Sequence, residues 1–399
     1  MTVDKTESAD RKMRAEDHRR VIVFLAPSPG LARTTGQYFV STKPCTFGVD
    51  HLRPRHRGGT LGDLRSPDRT SGSAPGRGGV SSQQLWKAAR PLIVASGADM
   101  NQAPSSAKTS VVTGGSDGIG KAIALALAVR GDEVFIIGRD PYKGRRAVEQ
   151  LRSASRHDRV HSIQADLSLM RDTERIACEI TGRIPRLHRL VLCAGIVRGR
   201  RVLTAEGIES NFATNYLSRF VLTERLLGVL QKAGTDGAAA RMLLIGGAAM
   251  NGRIYYDDVN LTKNFGILTM VPQFCQANDL FVIEQARRLD AAGLSRTVTI
   301  NTLKVGVVRT GIRGEFPTWM KLLVPLVFDP LLGQTPERIA ASALPLLTNP
   351  VYEGVSGDLF TYIKRFRPAK PGARTLDPKE GARLWALSQR LSREALGTD

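Results

Sequence analysis

The feature that most limits what this chain can fold into is the run Thr113-Gly114-Gly115-Ser116-Asp117-Gly118-Ile119-Gly120. It lies between a short apolar stretch, Ser110 to Thr113, and a helical pattern running from Ile119 to Val129. A Gly-rich turn that ends a strand and opens a helix aims backbone N–H groups and the positive end of the helix dipole at one point. That arrangement suits a phosphate. Gly114 permits the tight turn, Gly118 lets the backbone approach a pyrophosphate, and Gly120 lets helix and strand pack closely. In this strand–turn–helix context the run marks a dinucleotide-binding unit. Gly114, Ser116, Asp117, Gly118, Ile119 and Gly120 are therefore candidate cofactor contacts.

The rest of the chain agrees with that unit. Strand-like runs follow at Glu133–Ile137, Arg159–Ile163, Leu190–Leu192, Met242–Ile245 and Val298–Ile300. Helical patterns at Tyr142–Ala154, Met170–Thr181, Glu209–Leu230 and Phe281–Ala292 separate them. Strands alternating with helices of this length predict an α/β fold. The expected architecture is a single Rossmann-type doubly wound parallel sheet of about seven strands, with helices on both faces, over residues 107–395. Residues 1–106 differ in kind. They are rich in Arg, Gly, Pro and Ser, as in His51-Leu52-Arg53-Pro54-Arg55, and lack apolar periodicity. Such a stretch buries too little surface to offset the entropy of ordering it. It reads as a disordered basic tail, or as sequence upstream of a start at Met100.

The formal net charge is +20. A charge of that size draws polyanions but says nothing of the fold. The arginines are scattered, and no nucleic-acid-binding motif accompanies them, so no nucleic-acid partner is expected. Cys45, Cys178, Cys193 and Cys275 form no CxxC pair, which argues against a zinc site. No apolar stretch reaches the ~20 residues of a membrane helix, and no signal peptide is evident. The chain reads as cytoplasmic.

At the end of the second strand, Gly138-Arg139-Asp140 stands where an NAD-binding chain carries an acidic residue for the ribose hydroxyls. The Arg139 guanidinium suits a 2′-phosphate instead, which favours NADP(H) as cofactor.

With Ala165-Asp166-Leu167-Ser168 and Cys193-Ala194-Gly195 added, the pattern resembles the short-chain dehydrogenase/reductase family, and within it the retinol-dehydrogenase-like branch. The likeness runs from about Thr109 to Leu391 and takes in Asn211-Phe212-Ala213-Thr214-Asn215 and Gly306-Val307-Val308-Arg309-Thr310. It implies that Asp166 and Leu167 sit at the adenine, that Ala194 and Gly195 line the cofactor, and that Thr310 reaches the nicotinamide amide or the pyrophosphate. Asn215 matches the family's Asn. Cys193 departs from the family, replacing an Asn whose amide helps fix the fourth strand.

The resemblance also implies a catalytic Ser, Tyr and Lys, and these are missing. The Ser position is Gly247. Counting back along the helix through Ala277-Asn278 puts Val271 at the Tyr position and Cys275 at the Lys position. The residues four places after Tyr38, Tyr142, Tyr216, Tyr255, Tyr256, Tyr352 and Tyr362 are Thr42, Arg146, Phe220, Val259, Asn260, Ser356 and Phe366, so the chain has no YxxxK. Losing one positioned acid typically forfeits about 10²–10⁴-fold in rate. Asn215, Cys275, Gln273, Tyr255 and Tyr256 are the remaining polar candidates, and all but Gln273 are taken as catalytic candidates.

Three readings follow. One is non-standard, possibly non-redox chemistry, such as cyclisation or isomerisation of an apolar small molecule of secondary metabolism. The second is an oxidoreductase with a substitute acid, and the third a cofactor-binding pseudoenzyme. The apolar segment from about Gly311 to Gln334, with Phe316, Trp319 and Phe328, suits a substrate roof or a subunit contact. Homo-oligomers are common in the family, so a homo-oligomer is a further expectation.

Overall fold

The computed structural model describes residues 107–235, 237–247, 252–306, 334–363 and 365–397. The basic stretch 1–106, Thr310 and the apolar segment as far as residue 333 lie outside the described residues.

The chain builds one eight-stranded sheet from β1 (Thr109–Thr113), β2 (Glu133–Gly138), β3 (Val160–Gln164), β4 (Arg189–Leu192), β5 (Ala240–Gly247), β6 (Val298–Val305), β7 (Leu359–Tyr362) and β8 (Phe366–Pro368). The order is β3-β2-β1-β4-β5-β6-β7-β8. Only the last pair, β7 with β8, is antiparallel. The expected parallel sheet of about seven strands is thus present, with a short antiparallel strand added at one edge. β8 has three residues and ends on Pro368, so no alternating apolar run announces it. The central strands are buried throughout, β6 at all eight positions, as strands covered on both faces must be.

The covering helices are α1 (Gly118–Val129), α2 (Pro141–Ser155), α3 (Met170–Arg183), α4 (Ser218–Gly234), α5 (Ile267–Ala291), α6 (Pro336–Thr348), α7 (Ala373–Leu376) and α8 (Pro378–Leu396). α1 packs with α2 and α6, while α3, α4, α5 and α8 pack among themselves. Ile123, Leu127 and Ile339 of the first group join Val112, Ile136 and Val191 in the buried core. The strand order reverses between β1 and β4, and in such sheets the crevice beyond the carboxyl ends at that point takes the ligand.

Two helices depart from the sequence pattern. α5 starts at Ile267, well before the apolar period at Phe281. Pro272 lies inside it and reads as a stop, yet the carbonyl it leaves without a donor belongs to Leu268, whose side chain is 92% exposed. Water can satisfy a carbonyl there. α4 is entered through a short turn, Ser210–Phe212, and a π-helical stretch, Ala213–Leu217, which contains Asn215. Stretches of this kind recur at functional sites.

Candidate functional site

The Gly-rich turn adopts the geometry its residues allow. Gly114 has φ +68° and Gly118 φ +53°, in the region that favours glycine. A Cβ on Gly120 would overlap the carbonyl of Gly114, so helix and strand pack as closely as the motif requires. A Cβ on Gly114 would lie 3.0 Å from Cα of Ala194, which brings the turn against the end of β4. Asp117 is exposed and its carboxylate accepts from Gly118 N at 2.7 Å. Ser116 faces Gly138, where a Cβ would sit 2.8 Å from its Oγ. Ile119 packs against the core beneath. A cradle floored by glycines at the start of a twelve-residue helix fits a dinucleotide pyrophosphate.

The adenosine side follows from the next two strands. Arg139 is exposed just beyond β2. Its neighbour Asp140 is committed elsewhere, capping α2 by accepting from Tyr142 N at 2.9 Å and Lys143 N at 3.1 Å. The acidic group beside Arg139 therefore serves the helix that follows. Asp166 lies just past β3, where its Oδ1 accepts from the backbone N and the Oγ of Ser168 at 2.9 and 2.8 Å. Leu167 beside it is buried.

At the end of β4 the structure shows how the chain manages without the family's Asn. Thr113 Oγ1 accepts from both Cys193 N, at 2.9 Å, and Ala194 N, at 3.0 Å. From α4, Arg219 Nη2 donates to Ala194 O at 2.9 Å. Asn215 pins the next residues: its Oδ1 accepts from Ile196 N at 3.1 Å, and its Nδ2 donates to Ile196 O and Asn211 O, both at 2.8 Å. Its backbone carbonyl accepts from Asn278 Nδ2 of α5 at 3.0 Å. Gly195 is needed there, because a Cβ would sit 2.7 Å from Asn215 Oδ1.

The three positions that lack the family's catalytic residues lie on β5 and α5. Val271 is half-buried, and Cys275 is only 2% exposed. A Cβ on Gly247 would come within 2.9 Å of Cys275 Sγ. The residues at the Ser and Lys positions are thus neighbours, and the sulfur stands off the end of β5 in the direction a side chain at 247 would take.

The two candidate tyrosines go elsewhere. Tyr256 donates to Glu380 Oε2 of α8 at 3.1 Å, and the Arg383 guanidinium lies 3.9 Å from its ring centre. Burial first, and then Glu380, push its phenol well above the ordinary range. It lines a cleft with Gly207, Asn260 and Arg390. Tyr255 carries Arg253 over its ring at 4.3 Å, and its backbone N donates to Gln273 Oε1 at 3.0 Å. Gln273 Nε2 in turn donates to Val259 O at 3.0 Å, so this side chain laces the loop to α5.

Two features have no counterpart among the sequence candidates. Arg219 is 5% exposed, in a stretch buried continuously from Ile208 to Thr223. Its Nη1 donates to Asn278 Oδ1 at 3.3 Å, and its Nε makes no hydrogen bond among the described residues. One turn along α5 from Cys275, Asp279 pairs with Lys304 of β6 at 2.5 Å, both nearly buried. Burial raises the Asp279 carboxyl, and Lys304 opposes the shift. The signal for Arg219 in the sequence is a lone cation inside the apolar run Tyr216-Leu217-Ser218-Arg219-Phe220-Val221-Leu222.

A crevice at the strand-order reversal, with a glycine cradle on one side and α5 on the other, defines a nucleotide-dependent oxidoreductase scaffold. Residues 108–244 match the short chain dehydrogenase family. Human retinol dehydrogenase 13 is 33% identical over 306 residues, covering 75% of this chain and 88% of that protein. Human polyprenol dehydrogenase is 29% identical, over 71% of this chain and 85% of that one. Among solved structures, an uncharacterized protein from Mycobacterium paratuberculosis superposes with a TM-score of 0.57 at 26% identity, covering 74% and 97% of the two chains. The Pseudomonas aeruginosa RhlG/NADP active-site complex does so with a TM-score of 0.50 at 25% identity, over 64% and 94%. The chain belongs to the short-chain dehydrogenase/reductase family, in its retinol-dehydrogenase-like branch. The family uses nicotinamide dinucleotides. Among the described residues no helix is long and apolar enough to cross a membrane.

Proposed function

We propose that this chain binds NADP(H) in the crevice between the Gly114–Gly120 turn and α5, and acts there on an apolar small molecule by chemistry other than Tyr–Lys-assisted carbonyl reduction. The observation that carries the proposal is the mismatch between the two walls of one site. The cradle keeps every glycine a pyrophosphate needs, while the facing wall presents Gly247, Val271 and Cys275. Gly114, Ser116, Gly118 and Gly120 would hold the pyrophosphate, Arg139 a 2′-phosphate, Asp166 and Leu167 the adenine, and Ala194, Gly195 and Thr310 the nicotinamide half. When bound, the dinucleotide supplies a hydride donor or acceptor at its nicotinamide ring.

The chain's own residues set what can happen beside that ring. Asn215 spends its side chain on the Ile196 and Asn211 backbone and so shapes the floor. Tyr256 is held by Glu380 and its proton is harder to remove, which makes it a poor substitute acid at neutral pH. The names of the relatives, retinol and polyprenol dehydrogenases, support an apolar, isoprenoid-sized substrate, and the NADP complex of RhlG supports the phosphorylated cofactor.

The test is turnover of apolar alcohols, aldehydes and polyenes with NADPH deuterated at the transferring position. Fluorescence titration should show NADPH bound more tightly than NADH, and any substrate consumed should yield product without deuterium and with the nicotinamide unchanged. Deuterium in the product would overturn the chemistry proposed, and failure to bind NADPH would overturn the cofactor assignment.

A further inference from the structure

Beneath the crevice lies a buried guanidinium that faces no carboxylate. Arg219 reaches from α4 to the end of β4, where Nη2 meets Ala194 O, and to α5, where Nη1 meets Asn278 Oδ1. Nη2 is also 3.9 Å from the place a Cβ on Gly195 would take, directly under the cofactor-lining turn. Taking a cation out of water costs several kcal/mol unless it is paired. Two neutral acceptors offset part of that cost, and Nε has none among the described residues. The groups able to balance the charge are two thiols, Cys193 and Cys275, both within electrostatic reach. Burial lowers Arg219 to about 10, and the thiols pull it back up, so it stays cationic at neutral pH.

The two thiols are not equivalent. Cys193 is boxed in where β4 ends, and burial pushes it up to about 12 despite Arg219. Cys275 shares the face of α5 that carries Asn278, the residue Arg219 touches, and its sulfur projects to where a side chain on Gly247 would point. Gly247 leaves that side open, and any larger residue there would collide with the sulfur. Around Cys275 the charged and titratable groups are Arg219 from α4, Cys193 after β4, and the Asp279–Lys304 pair a turn further along α5, which is neutral as a unit.

We infer that Arg219 is the cation of this site and holds Cys275 as a thiolate, making a nucleophilic centre at the end of β5 that takes soft electrophiles. The charge that the family draws from a Lys on α5 comes here from α4, and a sulfur stands near the place of the hydroxyl. A thiolate is the reacting form of Cys, and a neighbouring cation favours it. The inference concerns the thiol and does not depend on whether a dinucleotide binds.

Iodoacetamide alkylation of the full chain, followed across pH by peptide-resolved mass spectrometry, reads the thiol directly. The sulfur displaces iodide and forms a thioether, and Cys275→Ser identifies the modified peptide. The midpoint of the Cys275 profile should fall below the ordinary thiol value of about 8.5. Arg219→Met should slow alkylation at pH 7 by about tenfold, the effect of one pH unit in the midpoint, while Arg219→Lys should retain most of the rate. A wild-type midpoint at or above the ordinary value overturns the inference, and so does a folded Arg219→Met chain with an unchanged profile. Should Arg219→Met fail to fold, the wild-type midpoint decides alone. NADPH titration of the same samples separates this outcome from that of the proposed function.

Discussion

Restoring the missing hydroxyl by Gly247→Ser alone should harm the protein, because the space is already taken. The new Cβ would lie 2.9 Å from Cys275 Sγ, and ordinary carbon contacts begin near 3.5 Å. The sulfur or the end of β5 must therefore yield by about half an ångström, in a region where Cys275, Phe274 and Ala277 are buried on all sides. Overpacking of this size costs about 1–3 kcal/mol. Cys275→Ala alone leaves a void of roughly one sulfur atom, at a cost of about 1 kcal/mol. In the double variant the serine moves into the vacated space, so the two losses should not add. The coupling should be about 1–2 kcal/mol in favour of the double variant. Urea unfolding of the four chains, compared at equal slope, measures it. Additivity within about 0.5 kcal/mol would refute the claim that Gly247 and Cys275 exchange volume.

Two more outcomes follow from charges elsewhere. Arg139→Ser removes a charge-assisted contact of about 1.5–3 kcal/mol, so NADPH affinity should fall about 10–100-fold with NADH nearly unchanged; an equal fall for both would remove Arg139 from cofactor selection. Glu224, on α4, has an Oε1 that is buried without a hydrogen-bond partner, and burial pushes its carboxyl up to about 7, with Arg288 and Arg225 opposing. A carboxyl with a folded value above its unfolded one keeps more protons in the native state, so its contribution to stability is lost as pH climbs from about 4 toward 7. Glu224→Gln cannot ionise and should gain about 1–3 kcal/mol on wild type between pH 5 and pH 8, read by urea midpoints; a difference that does not vary with pH would refute the assignment.

What could be read in the chain beforehand divides by how local its cause is. The cradle is nearly all local: eight consecutive residues carry the turn, the positive φ angles and the helix start, so the motif and the structure agree residue by residue. The parallel order of the central sheet is almost as legible, because strands buried on both faces announce themselves as unbroken apolar runs. β8 and the front of α5 escaped that reading, since a three-residue edge strand has no period and Pro272 looks like a stop when the exposure of Leu268 is unknown. The catalytic wall is where distance in sequence matters most. Gly247 and Cys275 are 28 positions apart, Asp279 and Lys304 25, and Arg219 and Asn278 59. Taken one at a time, Gly for Ser and Cys for Lys are two losses, and an Arg inside an apolar helix is an anomaly. In space they answer one another. The small residue makes room for the sulfur, and a cation from the neighbouring helix stands under it. A lapsed site has no reason to keep a buried guanidinium without a carboxylate, because desolvation alone would favour an apolar residue there. The cost of holding Arg219 in place is the strongest physical argument that this wall still has work to do.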